Sequence, residues 1–213
     1  MKKSAIILCM LIFVIAGISF FFLPDTIPAH FNAQGEVYRY GSRFEIFIIP
    51  FCALVMNALF IVLEKVDPKK NHIEQIKKYV HATLCIANGI LLITLCIMII
   101  EALYPKTLNV ILILYITLCV MFIAIGNMMP KFKSNYFMGI RTPWTLENEQ
   151  VWFKTHRLGG KLWFYGGVLM LAGIFLPSTW MFGFLLIGTI LLGAIPCIYS
   201  YICFKKITTS KEG

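Results

Sequence analysis

The fold class is decided by the stretch AIILCMLIFVIAGISFFFL, residues 5–23, which carries no charged side chain over 19 residues. A helix of about 20 apolar residues crosses the hydrocarbon core of a bilayer, so this stretch is long enough to span one. It follows two lysines, as in a signal peptide, but it ends in Phe-Phe-Phe-Leu-Pro and lacks the small residues of a cleavage site. It therefore predicts a retained transmembrane helix.

The rest of the chain has a similar composition. Of its 213 residues, 59% are hydrophobic and only 14% are charged. Soluble domains average about 45–50% apolar and about 25% charged residues. This composition excludes a soluble enzyme, a disordered protein and a secreted disulfide scaffold, because so apolar a chain needs lipid around it.

Five further apolar runs follow the first. Together they predict an all-α membrane protein with six transmembrane helices, forming a single integral membrane domain over residues 1–213. The predicted spans are residues 5–23, 44–63, 80–100, 108–129, 160–176 and 179–204. Two connections are long enough to carry function. We name them the outer loop, residues 24–43, and the inner loop, residues 130–161.

The basic residues divide unevenly between the two sides that six spans create. Sixteen of the 19 lysines and arginines fall at the termini or in connections on the same side, and only Arg39, Arg43 and Lys106 fall on the other. Basic residues accumulate on the cytoplasmic side of membrane proteins. The pattern therefore predicts a multi-pass protein of the cell membrane with both termini cytoplasmic. It also accounts for the net charge of +9, so direct nucleic-acid binding is not expected.

Patterns of catalysis or metal binding do not stand out. The four histidines form no cluster, H-E-x-x-H and G-x-S-x-G are absent, and the seven cysteines lie in apolar runs without a C-x-x-C pair. Cysteines in such runs behave as small hydrophobic residues. We therefore expect no enzymatic activity, no cofactor and no metal site.

Polar and small residues inside the predicted spans indicate helix packing. Asn57, Asn88 and Asn127 are expected to form hydrogen bonds between helices. In the fifth span, glycines recur every seven residues at positions 159, 166 and 173, with further glycines at 160 and 167. Small residues let helix backbones approach in lipid, so this stripe predicts close packing against a neighbour.

The outer loop combines turn residues with aromatic ones. Two prolines stop the first helix, and Asn32-Ala-Gln-Gly35 favours a tight turn whose flanks are predicted to pair as a short hairpin. Ser42 and Glu45 have the spacing of a capping box at the start of the second span. The residues expected to face an apolar peptide at the level of the lipid headgroups are Phe31, Asn32, Tyr38 and Tyr40.

The inner loop is predicted to contain an amphipathic cytoplasmic helix of about 15 residues, because Thr142 can cap it and Pro143 suits its first position. In that helix Trp144 and Trp152 are expected to lie roughly on one face. Arg141 is the leading candidate for docking a partner, since its planar guanidinium suits a carboxylate. The alternative role for Arg141 is contact with lipid phosphate.

The inner loop also carries a specific motif. Asn135-Tyr136-Phe137-Met138-Gly139-Ile140-Arg141-Thr142-Pro143-Trp144-Thr145-Leu146, followed by Trp152 and Thr155-His156-Arg157, closely resembles the signature of the SdpI family. The outer loop, from Leu23-Pro24-Asp25-Thr26-Ile27-Pro28 to Tyr40-Gly41-Ser42, resembles that family's amino-terminal module of unknown function. The two matches stand in the family's order.

This resemblance implies an integral membrane immunity and signalling protein without enzymatic activity. As for the family's namesake, the resemblance implies protection of the producing cell from a secreted toxic peptide and retention of a small DNA-binding repressor at the membrane. The implied partners are membrane lipid, a secreted toxin peptide and a small cytoplasmic DNA-binding repressor. The residues expected to bind the repressor are Asn135, Tyr136, Gly139, Arg141, Thr142, Pro143, Trp144, Thr145, Trp152, His156 and Arg157.

Two other functions stay open on the sequence alone. One is a small-solute or ion transporter, and the other is an envelope sensory protein without a toxin partner. Transporters commonly contain internal repeats, broken helices and polar residues at the midplane of the membrane. The sequence has no evident pattern of this kind, which favours the immunity function.

Overall fold

The structure is a computed structural model that describes residues 2–32 and 34–212. Within these residues, six helices are long and apolar enough to cross a membrane, as predicted. The helices are α1 (Lys2–Phe20), α2 (Ile48–Val66), α3 (Lys70–Leu103), α4 (Val110–Met128), α5 (Pro143–Glu147), α6 (Glu149–Leu171) and α7 (Ser178–Glu212). The strands are β1 (Thr26–Phe31) and β2 (Val37–Ser42), and short 3-10 turns occupy Arg43–Phe47, Met129–Lys131 and Ala172–Phe175.

The six long helices keep many apolar side chains on their outer faces. Only 17% to 28% of the residues in each spanning stretch are buried within the protein. On α1, for example, Ile7, Val14 and Ile18 are each more than half exposed. A surface of this kind is unfavourable in water and favourable among lipid chains, while the helices satisfy their own backbone groups. The predicted class, an all-α membrane protein with six spans, is confirmed.

Three helices extend well beyond the predicted spans. α3 begins at Lys70 instead of residue 80, α6 begins at Glu149 instead of residue 160, and α7 continues to Glu212 instead of residue 204. The additional turns are rich in charged and polar residues, so hydropathy does not detect them. Glutamate, glutamine and lysine are good helix formers, and these turns extend the helices beyond the apolar runs.

The chain divides into two compact units, which are described separately. Unit 1 comprises Met1–Val62 and His81–Thr117, and unit 2 comprises Leu63–Val80 and Leu118–Gly213. The core of unit 1 is apolar and joins α1, the strands, α2 and α3. Its buried members are Cys9, Ile12, Ala16, Leu23, Ile27, Ile46, Ile49, Ala53 and Leu95.

A pair of buried asparagines joins α2 to α3 inside unit 1. The Nδ2 group of Asn57 donates to Oδ1 of Asn88 over 3.0 Å, and it also donates to the carbonyl of Ala53 on its own helix. Asn88 in turn donates to the carbonyl of Leu84. The predicted bond between helices is therefore confirmed for Asn57 and Asn88. Asn127 lies exposed near the end of α4.

The glycines of α6 bring it close to two neighbours in unit 2. A Cβ atom placed on Gly160 would lie 2.8 Å from the carbonyl oxygen of Gly126 on α4. A Cβ atom placed on Gly166 would lie 2.6 Å from the side chain of Leu192 on α7. The predicted packed face is confirmed, and it is two-sided, because Gly160 lies against α4 and Gly166 lies against α7.

Candidate functional site

The inner loop folds onto α6 around two buried aromatic rings. Trp152 and His156 are fully buried, and their rings stack with centroids 4.0 Å apart. Nε1 of Trp152 donates to the carbonyl of Phe132 over 2.8 Å. This bond ties the beginning of the loop to the helix that follows it.

Asn135 organises the first turn of the loop. Its Oδ1 accepts from the backbone N–H groups of Phe137 and Met138 over 2.8 and 2.6 Å. Its Nδ2 donates to the carbonyls of Lys133 and Met138. The side chain is fully buried with both of its polar atoms bonded, so Asn135 stabilises the turn and offers nothing to a partner.

His156 closes the loop through both ring nitrogens. The backbone N–H of Ile140 donates to Nε2 over 3.0 Å, so Nε2 is an acceptor. The proton of the neutral ring therefore lies on Nδ1, which donates to the carbonyl of Trp152 over 2.9 Å. Gly139 makes this approach possible, because its φ is 110° and a Cβ atom there would collide with Nε2 of His156.

Thr142 and Thr145 begin α5 in the way the sequence predicts. Oγ1 of Thr142 accepts from the backbone N–H of Thr145, and Oγ1 of Thr145 accepts from the backbone N–H of Thr142, with Pro143 in the first turn. Oγ1 of Thr142 also lies 2.9 Å from Oγ of Ser200 on α7. The hydroxyl groups of Thr142 and Thr145 therefore form hydrogen bonds that fix the position of α5.

The predicted amphipathic helix of about 15 residues is wrong in its extent. α5 has five residues and ends at Glu147. Asn148 adopts an extended conformation, and its Oδ1 accepts from the backbone N–H groups of Gln150 and Val151, which starts α6. α6 then runs through both central glycines to Leu171 without a break. An asparagine before a glutamate is a recognisable N-cap, and this signal was missed.

The single face predicted from Trp144 and Trp152 is also wrong, because the two tryptophans lie on different helices. Trp152 is buried as described above. Trp144 is partly buried and lies beside Tyr201 of α7, with ring centroids 5.0 Å apart. A break at one residue changes the direction of the chain, so helical spacing does not apply across it.

Asp67, Lys69 and His72, which lie just before α3 and in its first turn, also form hydrogen bonds with the inner loop. None of the three was predicted from the sequence. The buried carboxylate of Asp67 accepts from the backbone N–H groups of Lys69 and Tyr136, over 2.7 and 2.9 Å. Nζ of Lys69 donates to Oγ of Ser134 over 2.6 Å, and Nδ1 of His72 lies 2.7 Å from the Ser134 carbonyl. The three residues lie 62 to 69 positions away from their partners in the inner loop, so no local pattern marks them.

Burial divides the predicted docking residues into two groups. Asn135, Thr142, Thr145, Trp152 and His156 are buried, and each has hydrogen bonds inside the loop. The exposed or partly exposed residues are Tyr136, Gly139, Arg141, Pro143, Trp144 and Arg157. Nη1 of Arg141 donates to the carbonyl of Tyr136 over 2.7 Å, and the side chain remains exposed. A partner can reach only the second group.

The outer loop forms the predicted hairpin in unit 1. β1 and β2 pair antiparallel with Ile27 opposite Gly41 and Phe31 opposite Val37. Oδ1 of Asn32 accepts from the N–H groups of Gln34 and Glu36 and so shapes the turn, in which Gly35 has a φ of 82°. Tyr38 and Tyr40 are 81% and 60% exposed, whereas Phe31 is partly buried.

Arg39 links the hairpin to the 3-10 turn that precedes α2. Its Nε donates to Nδ1 of His30, and its guanidinium donates two hydrogen bonds to the carboxylate of Glu45, over 3.2 and 2.7 Å. The bonds to Glu45 raise the pKa of Arg39 above its ordinary value. Ser42 accepts from the N–H of Phe44, as its predicted capping role requires, while Glu45 acts as the partner of Arg39.

A cleft of about 400 Å³ separates the hairpin from the turn between α3 and α4 in unit 1. Glu101 shapes this turn, because its buried carboxylate accepts from the backbone N–H groups of Lys106 and Leu108, each over 2.8 Å. No local sequence pattern marks Glu101. Tyr40 lines the cleft together with Gln34 and Val37, so one of the predicted peptide-facing residues borders a concave surface.

Within the described part of the chain, no group of three or more histidine, cysteine, aspartate or glutamate side chains is placed to hold a metal ion. The cysteines are all free thiols. The buried side chains of Asn135, Thr142, Thr145, Trp152 and His156 form hydrogen bonds within the protein, as described above.

Comparison with known proteins points to one family. Residues 131–200 match the SdpI/YfhL protein family, and residues 7–54 match a domain of unknown function, DUF1648. The chain is 27% identical to the immunity protein SdpI of Bacillus subtilis over 99% of its own length and 100% of that protein. It is 42% identical to an uncharacterized protein of Archaeoglobus fulgidus over 43 residues, 20% of this chain and 24% of that protein. No solved structure matches the chain.

Proposed function

We propose that this chain is a membrane immunity protein that protects cells from a secreted antibacterial peptide, because its residues 131–200 match the SdpI/YfhL protein family. The observation that carries this proposal is the alignment over the full length of the immunity protein SdpI. A match to that protein's whole length includes both loops and all six spans. The proposed role needs no chemical reaction. The buried polar side chains of the inner loop, such as Asn135 and His156, form hydrogen bonds that stabilise the fold.

The surface proposed to meet the peptide is the outer hairpin. Tyr38 and Tyr40 are large, exposed and amphipathic, and such residues reside at the boundary between lipid and water. An apolar peptide arriving at the membrane would contact these rings, with Phe31 at the turn end of the hairpin. Asn32 supports the surface indirectly, since its side chain is bonded within the turn.

Survival of cells that express the protein tests the immunity function. Sensitive cells expressing the wild type should survive the secreted toxin of the strain that encodes this chain, and cells carrying the empty vector should not. Alanine at Phe31, Tyr38 and Tyr40 together should lower survival at equal membrane expression. Alanine at Tyr104, an exposed tyrosine outside the hairpin, is the control and should protect fully. Full protection by the triple variant would remove the hairpin from the mechanism, and no protection by the wild type would contradict the function itself.

We further infer that the exposed part of the inner loop docks a small cytoplasmic DNA-binding repressor. Tyr136, Arg141 and Arg157 offer aromatic and cationic groups at the surface of a loop whose interior is held by hydrogen bonds. A rigid surface loses little conformational entropy on binding, which favours recognition. Arg141 suits a carboxylate of the partner, because a guanidinium presents a planar fork of donors.

Membrane co-sedimentation of the repressor tests the docking role of Arg141. Arg141→Ala should reduce the repressor bound by about tenfold, as expected for loss of an interfacial arginine worth more than 1 kcal/mol. Arg141→Lys should bind weakly, because an ammonium group lacks the fork. Lys154→Ala removes an exposed positive charge on α6 and serves as the control. Equal retention of the repressor by all four proteins would show that Arg141 serves only the fold, through its bond to Tyr136.

A further inference from the structure

Two lysines of unit 2 converge on one aromatic ring. The ammonium group of Lys78 lies 4.9 Å from the centroid of the Tyr79 ring, and that of Lys131 lies 5.6 Å from the same centroid. Both distances are within the range of a cation–π contact. Lys78 belongs to α3 and Lys131 to the 3-10 turn after α4, so only the folded chain brings them together.

The Tyr79 ring, which both lysines contact, packs against the inner loop. The Tyr79 ring packs against the buried ring of Phe132, with centroids 6.4 Å apart. The carbonyl of Phe132 accepts the hydrogen bond from Trp152. The aromatic ring that the two lysines contact is therefore fixed by packing against buried residues of the inner loop.

Neither lysine has an ion-pair partner in the part of the chain that the structure describes, in contrast to a neighbouring lysine. Lys77, the residue before Lys78, is paired with Glu74 over 2.7 Å. Both side chains are exposed. Like charges held near one ring repel each other, and an anion that contacts both would relieve this repulsion.

The position of the site along the chain indicates the source of that anion. Tyr79 directly precedes the apolar run that begins at Val80, and Lys131 lies two positions after residue 129, the predicted end of the fourth span. Lysines and tyrosines at the ends of spans lie at the level of the lipid headgroups. The phosphate of a phospholipid lies at the same level, and an ammonium group donates up to three hydrogen bonds to it.

We propose that Lys78, Tyr79 and Lys131 form a binding site for the phosphate of an anionic phospholipid headgroup. The two ammonium groups bind the phosphate oxygens, and the tyrosine ring keeps the ammonium groups together. The site is separate from the exposed docking residues of the inner loop. It is also independent of the immunity function, so either proposal can fail without the other.

Lipid binding to the purified full-length protein tests this site. The protein in detergent is titrated with phosphatidylglycerol or with phosphatidylcholine of the same acyl chains, and the bound lipid is measured by native mass spectrometry. The wild type should bind phosphatidylglycerol more tightly. Lys78→Gln and Lys131→Gln should each weaken that binding about fivefold. Lys77→Gln removes the same charge one residue away, and it should bind as the wild type does.

Equal affinity of the wild type for the two lipids would overturn the proposal, and this comparison needs no variant to fold. Equal losses in all three glutamine variants would also overturn it, because the effect would then follow net charge and not the site. Displacement of phosphatidylglycerol by millimolar inorganic phosphate would assign the site to free phosphate. We expect no displacement.

The aromatic ring has its own test. Tyr79→Phe keeps the ring and should retain selective binding of phosphatidylglycerol, whereas Tyr79→Leu should lose it. Melting in lipid-free detergent is measured for both variants, so that a loss of fold is distinguished from a loss of the site. A folded Tyr79→Leu variant that binds phosphatidylglycerol as the wild type does would overturn the site in this form.

Discussion

At the scale of single residues, Gly139 and His156 show why the inner-loop motif needs these two residue types. The imidazole accepts a backbone hydrogen bond at a point where any Cβ atom on residue 139 would collide with it. Gly139→Ala should therefore break the bond from Ile140 and strain a backbone with a φ of 110°. We expect a cost of about 2 kcal/mol, or roughly 4–8 °C in melting temperature.

The melting of Gly139→Ala in detergent is compared with that of Gly89→Ala. A Cβ atom on Gly89 meets nothing within 4 Å, so alanine there should leave the melting temperature unchanged or raise it. If the two variants melted alike, the close approach of Gly139 to His156 would not contribute to stability. The motif would then have to be explained by binding alone.

At the scale of elements, the contact of α6 with α4 depends on glycines that meet rigid atoms. A Cβ atom on Gly160 would face the ring of Pro130 and the carbonyl of Gly126, neither of which can rotate away. A Cβ atom on Gly166 would face the flexible side chain of Leu192. Gly160→Ala should thus cost about 1–3 kcal/mol by overpacking, and Gly166→Ala less.

Thermal melting in detergent ranks these two variants against Gly193→Ala, a glycine of α7 with open space around it. The expected order of melting temperatures is Gly193→Ala highest, then Gly166→Ala, then Gly160→Ala. A Gly160→Ala variant as stable as Gly193→Ala would contradict the packed face.

At the scale of the whole molecule, the uneven distribution of basic residues predicts the orientation in the membrane. Loops rich in lysine and arginine stay cytoplasmic, so the inner loop should be inside the cell and the outer loop outside. On a background without cysteines, a membrane-impermeant thiol reagent should label Gln34→Cys in intact cells and leave Lys154→Cys unlabelled. Labelling that is restricted to position 154 would reverse the orientation and place the hairpin away from an arriving toxin.

Much of the fold follows from the sequence, because its determinants are local. Six apolar runs predict the six spans, turn residues predict the hairpin, and Thr142 with Pro143 predicts the start of α5. Each of these signals rests on residues close in the chain, whose spacing is fixed by the geometry of a helix or a turn. The resemblance to the SdpI family, which the inner-loop motif indicated, is confirmed by the match of residues 131–200. A motif of this kind can be recognised from the sequence because its residues are consecutive or close in the chain.

The use of that motif was decided only by the tertiary structure. The spacing predicted one helix with Trp144 and Trp152 on a common face. In the structure Trp152 and His156 are buried, and these two residues and Asp67 form hydrogen bonds that stabilise the inner loop. Burial depends on which segments pack together, and partners such as Asp67 and Tyr136 are separated by 69 residues. A residue in a motif can serve binding or folding with the same local neighbours. What separates the two roles is whether distant segments leave its side chain exposed or enclose it, and local spacing does not determine this.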